Sequence, residues 1–101
     1  YAAHGGDHTI YPDCRPEFVE KMREVSLIAN YSPIEIETPF IHINKGEILK
    51  IGLSLKPAVD YSLTWTCYKG ETLACGKCGA CVERLEAFSH NRTIDPLPYQ
   101  K

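Results

Sequence analysis

The sequence has no excess of basic charge. Eleven Lys and Arg stand against thirteen Asp and Glu, which gives a formal charge of −2 and an isoelectric point near 6.1. Binding to nucleic acid leaves a basic footprint, so no direct contact with nucleic acid is expected. No apolar run approaches the roughly 20 residues of a membrane span, and no charged-then-apolar leader opens the chain. The expectation is a soluble, cytoplasmic protein with no membrane partner. Internal repeats and low-complexity segments are also lacking. So is a Gly-rich phosphate cradle running into a helix, because Gly5-Gly6 alone is far too weak a signal for one.

What is present fits a single domain: 101 residues with 44% apolar content can bury a core. The chain begins Tyr1-Ala2-Ala3-His4-Gly5-Gly6-Asp7, which reads as the end of a strand running into a Gly-rich turn. The expectation is the carboxyl-terminal part of something longer. Pro12-Asp13-Cys14-Arg15-Pro16 is a stiff turn, with Pro16 suited to a first helical position. Phe18, Val19, Met22, Val25, Leu27 and Ile28 then recur at helical spacing, which predicts an amphipathic helix ending near Asn30. Ile34–Thr38 alternates as a strand does. Asn44 followed by Glu47 marks the start of a second helix, with Ile48, Leu49, Ile51, Gly52 and Leu55 on its inner face. Val59–Trp65 reads as extended, and Cys81–Phe88 as a third helix. Residues 91–101 read as an extended tail, since Asp95-Pro96-Leu97-Pro98-Tyr99 fits neither a helix nor a central strand. Helices alternating with separated strands predict an α/β sheet domain. Two strands cannot make that sheet, so the others are expected from upstream residues or another chain.

The cysteines carry the strongest chemical signal. Cys67, Cys75, Cys78 and Cys81 follow the spacing C-x7-C-x2-C-x2-C, a knuckle spanning residues 65–84. Thiolates two residues apart across a tight turn can face one tetrahedral ion about 2.3 Å away. Gly76 and Gly79 supply backbone freedom for the turn, and Lys69 and Lys77 put positive charge near the thiolates. With four thiolates the ion has no open position, so one structural zinc per chain is expected. An iron–sulfur cluster is the main rival, but its run expects a further cysteine and a proline where Glu83-Arg84-Leu85 stands. Disulfides are a weaker one, given five cysteines and crowded pairs. Cys14 reads as a small buried residue, and His4, His8, His42 and His90 are too scattered to be ligands.

These residues carry a family resemblance. Gly6-Asp7-His8, the run Tyr11-Pro12-Asp13-Cys14-Arg15-Pro16-Glu17-Phe18, and Thr38-Pro39-Phe40 with Lys45-x-Glu47-Ile48 resemble the 7-cyano-7-deazaguanine synthase family. So do Tyr61-Ser62-Leu63-Thr64-Trp65-Thr66-Cys67-Tyr68, the Cys75–Cys81 knuckle with Arg84, and Asp95-Pro96-Leu97-Pro98-Tyr99. The resemblance implies the C-terminal part of a PP-loop ATPase-like, adenine nucleotide alpha hydrolase-like domain with a parallel sheet and a zinc knuckle. It implies an ATP-dependent ligase on the pathway to queuosine and archaeosine in tRNA. The enzyme's substrates would be 7-carboxy-7-deazaguanine, ammonia, and ATP with magnesium. The family's phosphate-holding Ser-Gly-Gly-x-Asp-Ser loop is absent here, so this chain alone is expected not to hold ATP. A homodimer is left open.

Three residues suit such chemistry. Lys45 at a helix start can hold a phosphate or carboxylate, Arg15 can clamp a carboxylate at two points, and Asp13 can accept a guanine-like N–H pair. Their structural alternatives are a solvated helix lysine, a surface ion-pair partner and a helix cap. Tyr61, Trp65 and Tyr68 offer an aromatic wall for a flat base, although a core role suits Trp65 better. Two other functions remain: a non-enzymatic zinc-knuckle binding module, or a tRNA-modifying PP-loop enzyme with another substrate.

Overall fold

A computed structural model describes residues 1–101. The chain is built of helices and 3-10 turns in two compact units, Tyr1–Asn44 and Lys45–Lys101. No helix is long and apolar enough to cross a membrane.

In the first unit, 3-10 turns at Gly5–Asp7 and Pro12–Cys14 lead into α1, Pro16–Ile28. Pro16 opens α1, where its missing N–H costs nothing. The helix stops at Ile28, two residues before the expected Asn30, whose side-chain amide turns back to the Ser26 carbonyl at 2.8 Å. Val19 is the only buried residue of α1, packing with Ala3 and Ile41 against Cys14. The rest of the predicted apolar face, Phe18, Met22, Val25, Leu27 and Ile28, is exposed.

Ile34–Thr38 does not form the predicted strand. A ladder needs a neighbouring strand, and here side chains of α1 take up the backbone acceptors instead. Arg23 Nε donates to the Ile36 carbonyl at 2.8 Å, Arg23 Nη2 to Thr38 Oγ1 at 2.9 Å, and Ser26 Oγ to the Ile34 carbonyl at 2.9 Å.

In the second unit, α2 (Lys45–Ser54) packs against α3 (Gly79–His90). Leu49, Ala87 and Phe88 form the shared core with Tyr61 beside them, and Tyr61 meets Phe88 edge-on at 5.7 Å and 86°. Of the predicted inner face of α2, Leu49 and Gly52 are buried, whereas Ile51 and Leu55 are exposed. Gly52 is there for clearance, because a Cβ at that position would lie 2.0 Å from Tyr61 Oη. Asn91 joins the two helices, its amide donating to the carbonyls of Gly46 and Ala87, each at 2.8 Å.

The segment Val59–Trp65 is not extended throughout. Asp60 accepts from Ser62 N at 3.0 Å and from Ser62 Oγ at 2.6 Å, closing a 3-10 turn at Tyr61–Leu63. The parallel sheet expected of the α/β class is therefore not formed within these residues. Their one β-bridge is a parallel pairing of Ala74 with Tyr99.

α3 begins at Gly79, two residues before the predicted Cys81, with Cys78 as its N-cap residue. Thr93 N donates to the Phe88 carbonyl at 3.1 Å and Arg92 N to the Ser89 carbonyl at 2.9 Å. These bonds make a Schellman end, and Arg92 takes the left-handed position at φ 54° that glycine usually fills.

Candidate metal centre

The four clustered cysteines converge. One sulfur from each of Cys67, Cys75, Cys78 and Cys81 lies within 4.8 Å of all the others, and Cys75 Sγ is 4.0 Å from Cys81 Sγ. None of the cysteines is disulfide-bonded. A tetrahedron with metal–sulfur bonds of about 2.3 Å has sulfur–sulfur edges of about 3.8 Å, so the donor set is compatible with a zinc site.

Local sequence explains the convergence. Gly76 sits at φ +68°, a conformation a Cβ would strain, and folds Cys75–Cys78 into a tight turn. In that turn Lys77 N and Cys78 N donate to Cys75 Sγ at 3.5 and 3.3 Å. Cys75 N donates to Cys67 Sγ at 3.4 Å, and Trp65 Nε1 donates to the Cys67 carbonyl at 2.8 Å. Cys81 lies in the first turn of α3 with no solvent exposure. Of the two glycines singled out from the sequence, Gly76 is needed for its positive φ, whereas Gly79 opens the helix without one.

Backbone amides set the electrostatics of the site. The N–H groups of Tyr68 and Cys81 pull Cys78 down to about 6, and those of Lys77 and Cys78 lower Cys75. Burial, followed by its thiol neighbours, pushes Cys81 up to about 12. Cys78 thus favours thiolate at neutral pH, Cys75 is shifted in the same direction, and burial opposes ionisation of Cys81. Lys69 and Lys77 are exposed; it is the Lys77 amide that bonds sulfur.

Three residues of the site were not singled out by their chemistry. Arg84, on α3 one turn beyond Cys81, is buried and makes a two-point pair with Asp95, Nε to Oδ2 at 2.6 Å and Nη2 to Oδ1 at 2.9 Å. Its nitrogens also donate to the Tyr61 carbonyl at 3.0 Å and Thr64 Oγ1 at 2.7 Å. Tyr99 Oη donates to Asp95 Oδ2 at 2.6 Å. An arginine on the face of α3 that also buries Cys81, Ala87 and Phe88 is the sequence signal for this pair. Burial raises the Asp95 carboxyl, but Arg84, Tyr99 and the Leu97 amide outweigh it and hold the group below its usual range.

The residues proposed from sequence for substrate lie elsewhere. In the first unit, Asp13 is an exposed turn residue whose carbonyl accepts from Tyr1 Oη at 3.0 Å. It does not cap α1, because Arg15 occupies that position without a side-chain capping bond. Arg15 Nε donates to the His8 carbonyl at 2.7 Å. Cys14 packs as a small apolar residue. In the second unit Lys45 pairs with Glu83 and borders a cavity of about 200 Å³ lined also by Leu49, Tyr61, Thr66, Arg84 and Phe88. Thr66 Oγ1 is buried there with no hydrogen-bond partner in the protein. The three aromatics do not act as one wall. Tyr61 packs on Phe88, Tyr68 is exposed, and Trp65 is exposed too and not a core residue, its indole N–H donating to the Cys67 carbonyl.

The second unit is thus a helical segment carrying a four-cysteine knuckle. The chain belongs to the family described as Queuosine biosynthesis protein QueC, which matches residues 1–92. The 7-cyano-7-deazaguanine synthase of Marinobacter nauticus is 62% identical over 101 residues, covering all of this chain and 45% of that protein. Those of a Marinomonas species and Hahella chejuensis are 62% and 60% identical over 100 residues, covering 99% of this chain and 45% and 42% of their own length. The chain therefore spans less than half the length of the curated relatives it matches.

Proposed function

We propose that the full-length protein carrying this chain is an ATP-dependent ligase that converts 7-carboxy-7-deazaguanine and ammonia into 7-cyano-7-deazaguanine. The observation that carries this reading is the match over nearly all of this chain, at 60–62% identity, to part of proteins named for that product. The chemistry needs activation because a carboxylate would have to expel oxide. ATP turns it into an acyl-adenylate, ammonia gives the amide, and a second activation removes the amide oxygen.

Residues 1–101 would supply the C-terminal part of one α/β domain, with ATP held by residues outside them. The segment Ile34–Thr38 supports that assignment, since its residues alternate as a strand's do yet pair with no strand in this chain. Zinc in the four-cysteine site would be structural, because no ligand position remains for substrate or water. Lys45 and Arg15 are proposed to hold anionic groups. Lys45 stands at the first position of α2, where helix amides favour an anion, and would exchange Glu83 for a substrate oxygen. Arg15 spends Nε on the His8 carbonyl and keeps its terminal nitrogens for a carboxylate. Asp13, exposed two residues away, is proposed to accept the purine N–H groups.

The experiment is to incubate the purified full-length protein with ATP, magnesium, ammonia and 7-carboxy-7-deazaguanine and to look for the nitrile by mass spectrometry. ATP-dependent nitrile formation is expected. ATP turnover without nitrile would point to another substrate, and no turnover at all would favour a binding module. Lys45→Ala should lower turnover by about 10²-fold or more with little change in melting temperature, as expected for a lost electrostatic contact to the reacting group. A parallel loss of stability and activity would make Lys45 a structural residue paired to Glu83.

A further inference from the structure

The end of the chain is laid over the four-cysteine site. Ala74 N donates to the Pro98 carbonyl at 3.3 Å, and Gln100 N donates to the Ala74 carbonyl at 2.8 Å. Residues 98–100 are thereby paired to the residue just before Cys75. The Tyr99 ring rests on the knuckle turn. A Cβ built on Gly76 would lie 3.3 Å from Tyr99 Cδ1, and Tyr99 packs with Cys78 against the cluster of Cys67, Ala74, Cys75 and Cys81.

A second anchor holds the other end of this segment. Both Asp95 oxygens are used, by Arg84 Nε and Nη2, by Tyr99 Oη, and by Leu97 N at 3.0 Å. Arg84 stands on the helix that carries Cys81, so the tail is bonded to the element that supplies a buried thiol. The side chains of Arg84 and Asp95 are 6% and 2% exposed. A two-point charged pair at that depth opens only with water entering or both groups leaving together.

We propose that residues 95–100 form a strap that controls how fast the four-cysteine site exchanges its metal, with Arg84, Asp95 and Tyr99 as its latch. The proposal rests on the four cysteines being a metal site, as argued above. Metal leaves a closed thiolate site when a competing ligand or a proton reaches a sulfur. Cys67, Cys75 and Cys81 are buried and Cys78 is partly exposed, so approach to the Gly76 side is limited by Tyr99. Lifting the strap breaks the Asp95 bonds and the two Ala74 bonds in one step. The latch residues offer no sulfur to the site; they act through the cover they hold in place.

The test is zinc release from the full-length protein into excess chromogenic chelator near neutral pH, after metal content has been measured. Tyr99→Ala removes ring and hydroxyl and should release zinc at least about tenfold faster, with one equivalent still bound at the start. Tyr99→Phe keeps the cover and loses one bond to Asp95, so its rate should fall between wild type and Tyr99→Ala. If Tyr99→Ala does not fold, Tyr99→Phe and Asp95→Asn carry the test, and either should release faster than wild type. Release within about twofold of wild type in every folded variant, with one zinc bound, would overturn the strap and leave the metal site standing. Wild-type protein isolated with no metal and unable to take up zinc would overturn the metal reading itself.

Discussion

In Tyr1–Asn44 the longest helix, α1, buries one residue, Val19, although its sequence carries an apolar stripe. In Lys45–Lys101 the helix of similar length, α3, buries four: Cys81, Arg84, Ala87 and Phe88. The stripe of α1 is the more regular pattern, yet α3 is the better anchored helix. Apolar periodicity says which face wants cover but does not supply it. A thiol that shares its site with three others, and an arginine with two carboxylate oxygens and three further acceptors, tie their helix to named partners. The first unit relies instead on side chains that reach backbone carbonyls, with Arg23 and Ser26 reading the carbonyls of Ile36 and Ile34.

The largest test of this contrast is to remove one thiol. Cys78→Ser in the full-length protein should abolish tight zinc binding, whose apparent free energy at such sites is about 10 kcal/mol or more. Amide exchange should then lose protection across residues 66–84 while Pro16–Ile28 keeps its own. Stripping zinc with a chelator should give the same pattern. Equal loss in both regions would end the contrast.

Removing Asp95 comes next. Asp95→Ala leaves Arg84 buried and unpaired and should cost about 3–5 kcal/mol, read by denaturant unfolding. A cost below about 1 kcal/mol would mean that the pair is replaceable by water. Its pH dependence follows from the sign of the shift. Asp95 is held below its ordinary value of 3.8, so the pair's contribution is fully present above that value and disappears as pH falls through the lower, folded one. Arg84, Tyr99 and Tyr61 are the charged or titratable groups around it, and the tyrosines are raised above their ordinary value. The stability gap between wild type and Asp95→Asn should therefore stay flat from about pH 8 to about pH 5. A gap that narrows within that window would contradict the assignment.

A smaller effect is expected in the first unit. Arg23→Ala removes the bonds to the Ile36 carbonyl and Thr38 Oγ1 and should cost about 1–2 kcal/mol, with faster amide exchange over residues 34–38. No change in that exchange would show that the segment is held by something other than Arg23. The smallest change is a gain. Arg92→Gly relieves a left-handed residue at the end of α3 and should stabilise the second unit by about 0.5–1 kcal/mol. A loss of stability would mean that the Arg92 side chain contributes more than its backbone costs.

The clustering of the four cysteines was more legible than the fold around it. Four cysteines in fifteen residues, with Gly76 where a left-handed residue is required, are readable because the turn that gathers them is local. The helices were readable from period and punctuation, with ends displaced by one or two residues where Ala29 and Cys78 act as caps. The segment Ile34–Thr38 was not, because a strand is a relation between segments and alternation fits an unpaired run equally well. Asp60 and Ser62 fold Tyr61–Leu63, within Val59–Trp65, into a 3-10 turn through short-range bonds that β-pattern counting ignores. The Arg84–Asp95 pair spans residues on either side of a helix end, and no spacing rule links them.

Gly52 gives substitution at α2 an unexpected sign. In an isolated helix, alanine in place of glycine would be favourable by about 1 kcal/mol. Here the added methyl would meet Tyr61 Oη at 2.0 Å, and Tyr61 is the ring that sits edge-on to Phe88 between α2 and α3. Secondary-structure preference and tertiary fit oppose each other at this residue, and the shorter distance decides. A mutational scan that ranks tolerance by helix propensity would therefore place Gly52 at the wrong end of its scale. The notch beneath Tyr61 behaves as a gauge block that admits a hydrogen and rejects a methyl.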